Sequence, residues 1–244
     1  MRVLVIGGSG TVGGLTLPVL ADSNDVEVLD PRPPAPGPWR HVEGSVEDDV
    51  ALRASLAGKD AMLYMAMGPQ PGWGELDNAK RHFDISVRDL YVALRLAHEA
   101  GVQHAVVTSS MSVYVEPQLR TPPEQLFPTE DVPADAHDFY GLTKRLGEEV
   151  CRAAVAEYRM SVVSLRLCLP TSDEIWNQPD AELHLAATSG TDTGRALALA
   201  LAWRGHGFEQ ITISGDSTRQ LVDIQKAARL LSWSPLGQQP ITRR

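Results

Sequence analysis

The stretch that most limits what this chain can fold into lies near its start. Val3-Leu4-Val5-Ile6 is an unbroken apolar run, as expected of a strand buried on both faces of a parallel sheet. Gly7-Gly8-Ser9-Gly10-Thr11-Val12-Gly13 follows at once, with glycine at every third position from Gly7 to Gly13. A strand, a glycine turn and a helix in that order make a βα unit. Its turn lets backbone N–H groups at the helix N-terminus approach a pyrophosphate closely. Pro18 sits inside the expected helix and predicts a kink or an early end.

The alternation continues. Strands are expected at Val26–Asp30, at 40–43, at 61–66, at 105–108 and at 162–167, with helices at 47–57, 78–100 and 139–158. Five prolines between 31 and 38 make that segment a stiff loop, and residues 115–138 read as a proline-rich, acidic loop that could wall or cover a site. Past 167 the pattern is irregular to about 190, then gives a helix at 192–203, a strand at 210–214 and a last helix at 221–231. The fold class predicted is α/β, a Rossmann-type doubly wound parallel sheet with a small C-terminal substrate-binding part. At 244 residues, with no repeat or linker, the chain reads as one domain: 1–166 the dinucleotide-binding core with the Tyr/Lys helix, 167–244 a small substrate-binding part integrated with it.

The second strand ends in Asp30, whose carboxylate can accept from a ribose diol and repels a 2′-phosphate. This favours NAD, although the neighbouring Arg32 keeps NADP as an alternative. Tyr140 and Lys144 fall one helical turn apart on a shared face. A phenol titrates near 10, and an ammonium a few ångströms away favours its ionised form. A fall of about 3 units, worth roughly 4 kcal/mol, would make Tyr140 a base at neutral pH. Ser109 and Ser110 stand at the carboxyl end of the fifth strand, the edge where open α/β sheets bind ligands.

Taken together, Gly7-x-x-Gly10-x-x-Gly13, Asp30, Tyr64-Met65-Ala66, Ser109-Ser110-Met111-Ser112-Val113-Tyr114, Tyr140-x-x-x-Lys144, Arg166 and Leu231-Ser232-Trp233-Ser234-Pro235 resemble the extended short-chain dehydrogenase/reductase superfamily, in its NAD-dependent epimerase/dehydratase branch. The resemblance spans nearly the whole chain. It implies Tyr140 as catalytic acid/base, Lys144 as the residue that lowers its pKa and holds the nicotinamide ribose, and Ser110 as the hydroxyl that binds the reacting oxygen. The cofactor would meet Gly7, Gly10, Thr11, Val12 and Gly13 at the turn, Asp30 and Arg32, Ser45 and Val46, Met65, Ala66 and Met67, and Tyr140 with Lys144. Substrate would meet Ser109, Ser110, Met111 and Tyr140. Two positions depart from the family pattern: Gly44-Ser45 replaces a Gly-Asp whose acid reads adenine, and Asp84 stands where an asparagine is usual.

The implied function is NAD(P)-dependent oxidation or reduction of a hydroxyl or carbonyl on a small sugar-like molecule. A sugar epimerase or dehydratase, a uronate dehydrogenase and a non-catalytic dinucleotide sensor or scaffold are the alternatives. Among short members the uronate dehydrogenases are the most similar, including Asp131-Val132-Pro133-Ala134. Against a carboxylate substrate, residues 167–194 hold Asp173, Glu174, Asp180, Glu182 and Asp192 but no Arg or Lys. Arg81, Arg88, Arg120 and Arg195 are the cations left to receive an anion. A net charge of −9 with no basic run argues against nucleic acid, and no clustered His/Cys suggests a metal. No apolar run approaches the roughly 18 residues of a membrane span. A cytoplasmic protein is expected, with a homodimer through the helices at 78–100 and 139–158 as a family-level expectation.

Overall fold

The computed structural model describes residues 1–115, 130–178, 180–219 and 221–237. Chain order is β1 (Arg2–Ile6), α1 (Thr11–Ala21), β2 (Asp25–Asp30), β3 (Arg40–Glu43), α2 (Asp49–Leu56), β4 (Ala61–Tyr64), α3 (Leu76–Phe83), α4 (Asp89–Glu99), β5 (His104–Ser110), α5 (Phe139–Tyr158) and β6 (Ser161–Leu167). There follow β7 (Pro170–Thr171), α6 (Asp173–Trp176), β8 (Thr188–Ser189), α7 (Gly190–Ala202), β9 (Gly207–Ile213) and α8 (Gln225–Leu231). The main sheet runs β3-β2-β1-β4-β5-β6-β9 and all its pairings are parallel.

The apolar run of β1 explains the two layers. Val3 and Val5 point into a core shared with Leu17, Leu20, Leu197 and Leu201 of α1 and α7. Leu4 and Ile6 point into the opposite core, with Leu52 and Leu56 of α2, Leu90 and Leu94 of α4 and Cys151 of α5. A strand with both faces covered cannot alternate polar and apolar residues, and β1 does not. The strand order reverses at β1, whose neighbours are β2 and β4. This is the topological switch point at which such sheets open a crevice at their carboxyl ends.

Several expectations are corrected here. Pro18 neither ends α1 nor shortens it, for the helix runs on to Ala21. α1 lies against α7 so closely that a Cβ on Gly194 would stand 2.8 Å from Val19. The helix expected at 78–100 is α3 and α4 joined by a wider π-helical turn at Asp84–Arg88. Asp84 pairs with Arg88 at 2.9 Å at the surface, and the residue of that turn that faces the interior beside Lys144 is Ser86. The part 167–244 contributes both to the scaffold and to the cleft. It supplies β9 to the main sheet and α7 to the layer over β1, and among its described residues Leu167, Leu169 and Pro170 reach the cleft.

Of the loop at 115–138, residues 116–129, Arg120 among them, lie outside the described residues. The rest is tied down. The Tyr114 hydroxyl donates to the Val132 carbonyl, Val115 N–H to Asp135, and Thr212 N–H of the outer strand β9 to Glu130 at 2.6 Å.

Candidate active site

One cleft of about 780 Å³ runs across the carboxyl ends of the central strands. Every residue expected to meet the cofactor lines it: Gly7, Gly10, Thr11, Val12 and Gly13; Asp30 and Arg32; Ser45 and Val46; Met65, Ala66 and Met67; Tyr140 and Lys144.

The glycine turn divides into positions the fold needs and one it does not. Gly7 has a φ of +83°, and a Cβ there would stand 2.5 Å from the backbone of Ala66. A Cβ on Gly13 would collide with the Gly8 carbonyl. A Cβ on Gly10 would meet only the Gly7 oxygen, at 3.5 Å, so no packing demands a glycine there. Gly10 is also the N-cap of α1, with no side chain capping the helix and no acid in its first turn. An open position at an uncapped helix N-terminus fits a pyrophosphate, whose oxygens would take the orphan N–H groups. Next to it the Asp30 carboxylate is buried, accepting from Ser9 N–H at 3.1 Å and Arg32 N–H at 2.9 Å. Each oxygen keeps a lone pair for a ribose hydroxyl. Arg32 holds its guanidinium 3.9 Å away and largely in solvent.

At the other end α5 delivers Tyr140 and Lys144. Asp138 caps the helix, accepting from Tyr140 N–H and Gly141 N–H at 3.1 and 2.9 Å. Gly141 lets this first turn press on the loop after β5, since a Cβ there would run into the Ser112 carbonyl. The contact brings the Tyr140 phenol to the Ser110 hydroxyl, which also donates to Ser112 Oγ and accepts from Ser112 N–H, both at 3.1 Å. The Lys144 ammonium is buried and donates to the Thr108 carbonyl at 3.0 Å.

The electrostatics differ from the expectation. Burial pushes the Tyr140 phenol above its ordinary value, the Ser110 hydrogen bond opposes this, and Asp138 adds to the rise. The Lys144 ammonium is directed at Thr108 and stands 5.7 Å from the centre of the tyrosine ring. Burial lowers Lys144 itself to about 8, with Glu148 pulling the other way.

The substrate residues sort themselves. Ser110 and Tyr140 converge in the cleft. Ser109 reaches the cleft too, but its hydroxyl is given to Glu148 at 2.8 Å. Met111 turns into the core beside β1 and β6, and the neighbour that faces the cleft is Ser112. Behind Ser109, Arg166 grips Glu148 with two bonds of 2.8 and 2.7 Å and donates to the Tyr114 hydroxyl at 2.6 Å. Gln210 completes the cluster on Glu148 at 2.6 Å.

Sequence reasoning missed Gln70, Ile85, Leu169 and Pro170 on the cleft wall, and it weighed Arg81 only as a partner for an anionic substrate. It also missed the packing of Trp73 and His82 against Tyr140, at ring distances of 5.1 and 6.1 Å. These lie in loops or on the flank of a helix, where periodicity carries no signal. Leu169 has a φ of +41°, a conformation that a non-glycine residue holds only under constraint.

The three described arginines considered as partners for an anion are each already engaged. Arg81 is held by Glu47, Arg88 by Asp84 and Asp89, and Arg195 by Asp192 and the Ser234 carbonyl. Among the described residues no His/Cys/Asp/Glu group could hold a metal, and no helix is long and apolar enough to cross a membrane.

A parallel sheet opened at its switch point, with a glycine turn on one side and a tyrosine, lysine and serine on the other, defines a nicotinamide-dinucleotide enzyme. The chain belongs to the NAD-dependent epimerase/dehydratase family, which it matches over residues 3–233. It is 25% identical over 201 residues to the L-arabinose 1-dehydrogenase (NAD(P)(+)) of Haloferax volcanii, covering 76% of this chain and 74% of that enzyme. It is 24% identical to the NAD-dependent glucose-6-phosphate dehydrogenase of the same organism, covering 96% and 92%. With the UDP-glucose 4-epimerase of Corynebacterium glutamicum it shares 27% identity over 68% of this chain, but spans only 50% of that enzyme's length. Among solved structures, a short-chain dehydrogenase/reductase superfamily protein from Agrobacterium tumefaciens with bound NAD superposes with a TM-score of 0.80 at 22% identity, covering 98% of this chain and 93% of that one. The protein MoeE5, in complex with UDP-glucuronic acid and NAD, gives 0.77 at 20%, covering 98% and 95%. These two likenesses establish the fold.

Proposed function

We propose that this enzyme is a dehydrogenase that oxidises a hydroxyl, or reduces the matching carbonyl, on a small neutral sugar-like molecule. The observation that carries the reading is the convergence of Ser110 and Tyr140 beside a wall of Gln70, Ser112, Leu167, Leu169 and Pro170 that bears no charge. NAD, when bound, would supply the hydride acceptor. Tyr140 Oη exchanges the proton of the reacting hydroxyl, and Ser110 Oγ holds the oxygen on which charge develops. Lys144, mostly protonated at neutral pH, supplies fixed positive charge behind the phenol and a donor for a ribose hydroxyl. Trp73 and His82 pack against the Tyr140 ring, and Phe139 in turn packs on both of them.

A neutral substrate follows from the same wall. A carboxylate or phosphate would be desolvated there, with Arg81, Arg88 and Arg195 each engaged by other groups. The aldose-oxidising relative supports this choice of class. The test is turnover with NAD across neutral aldoses, uronates and nucleotide-linked sugars, read by nicotinamide absorbance. Aldoses are expected to be preferred. A clear preference for glucuronate or galacturonate would overturn the neutral-substrate reading, and interconversion of nucleotide sugars without net absorbance change would make the enzyme an epimerase.

A further inference from the structure

Past Asp30, on the far side of the glycine turn from Tyr140, the cleft ends in a slot lined by Ser45, Val46, Arg81 and Ile85. Arg81 and Ile85 are four residues apart, so one turn of helix presents a cation and an apolar group to the same space. The guanidinium does not swing freely. Glu47 grips it with two parallel bonds, Nη1 to Oε1 at 2.7 Å and Nη2 to Oε2 at 2.9 Å. Arg88 backs the same carboxylate at 3.6 Å, and Ser45 Oγ lies 3.3 Å from it on the slot side. Glu47 N–H in turn donates to Ser45 Oγ, at 3.2 Å, which fixes the hydroxyl and leaves it a lone pair.

A carboxylate that takes both outer nitrogens fixes the plane of a guanidinium and leaves its faces bare. A bare, fixed guanidinium face beside apolar side chains suits a flat aromatic ring. We propose that Arg81, braced by Glu47, is the platform on which the purine of the cofactor stacks, with the Ser45 hydroxyl at the ring edge and Val46 and Ile85 packing around it. The inference rests on the cofactor reading of the cleft and is independent of the substrate.

Calorimetric titration with ADP-ribose tests it without turnover. Wild type, Arg81→Ala, Arg81→Lys and the double variant Glu47→Gln/Arg81→Ala are compared, with thermal melts to check the fold. Arg81→Ala is expected to weaken ADP-ribose about tenfold, and Arg81→Lys nearly as much, because lysine keeps the charge but not the plane. Full affinity in Arg81→Lys would show that charge alone matters and would overturn the platform. So would recovery of affinity in the double variant, which would trace the loss to an unpaired Glu47 repelling phosphate. Should Arg81→Ala not fold, Arg81→Lys decides alone. A wild type that fails to bind ADP-ribose would refute the cofactor reading itself, a result distinct from either.

Discussion

Tyr140 and Lys144 occupy one helical face, yet they stand in different surroundings, the phenol at Ser110 and the ammonium at the Thr108 carbonyl. The half-buried phenol packs against Trp73 and His82 and is protonated at neutral pH in the free protein, its pKa raised by desolvation. Tyr140→Phe removes one oxygen and leaves the ring packing, so turnover should fall by two orders of magnitude or more while ADP-ribose affinity stays within about twofold. Paired kinetics and titration check this, and near-normal turnover would remove Tyr140 from the chemistry. Lys144 makes a thermodynamic prediction of its own. Its folded value of about 8 lies below the 10.5 of a free lysine, so the unfolded chain binds this proton more tightly. Below pH 8 both states are protonated and the folded state bears the full burial cost. Between pH 8 and 10.5 the folded state has released the proton, and stability rises with pH by roughly 3 kcal/mol in total. Replacing the lysine by methionine should abolish that rise, which denaturant melts at pH 7, 8.5 and 10 would display as converging or parallel curves.

At the scale of elements, the glycine turn separates folding from binding. Gly13→Ala drives a Cβ into the Gly8 carbonyl and should cost at least 1–3 kcal/mol of stability as the β1–α1 turn is forced open. Gly10→Ala meets nothing closer than 3.5 Å and should leave the melting temperature within a degree or two, yet weaken NAD strongly by occupying its approach. Equal damage to stability from both would show that the turn is shaped by packing alone. The same turn shows why so much was legible in sequence. A doubly buried strand, a glycine turn and an acid at the end of β2 are each local patterns with one physical meaning. The Tyr-x-x-x-Lys spacing is local as well. Gly141, which seats Tyr140 against the loop of Ser110, could be read only once β5 and α5 were in contact. Met111 and Ser112 are neighbours in sequence, yet Met111 packs into the core and Ser112 lines the cleft, a choice of direction that no local pattern encodes. Arg81 lies on the flank of α3, and its task depends on Glu47, 34 residues earlier.

Across the whole molecule, the buried cluster of Arg166, Glu148, Ser109, Tyr114 and Gln210 links β5, β6, β9 and α5 to the segment that carries Val132. Lys144 and Glu148 lie one turn apart on α5, so the helix that carries the site is pinned from beneath by an ion pair taken out of water. Arg166→Met should cost about 3–5 kcal/mol, because Glu148 is left charged and buried. Arg166→Met with Glu148→Gln should recover much of it, and a double-mutant cycle in urea melts measures the coupling. Additive losses would mean that the pair does not act as a unit.

The pairing of α1 with α7 bears on how the protein is made. These helices cover the same face of β1 but are separated by roughly 170 residues of chain. A ribosome adding about 5–20 residues each second needs some 10–35 s to cross that gap. Throughout that interval Leu17, Leu20 and the inner side chains of β1 have emerged while the helix that shields them does not yet exist. The apolar face of the first βα unit is therefore open to chaperones, or to other nascent chains, until synthesis has passed residue 202.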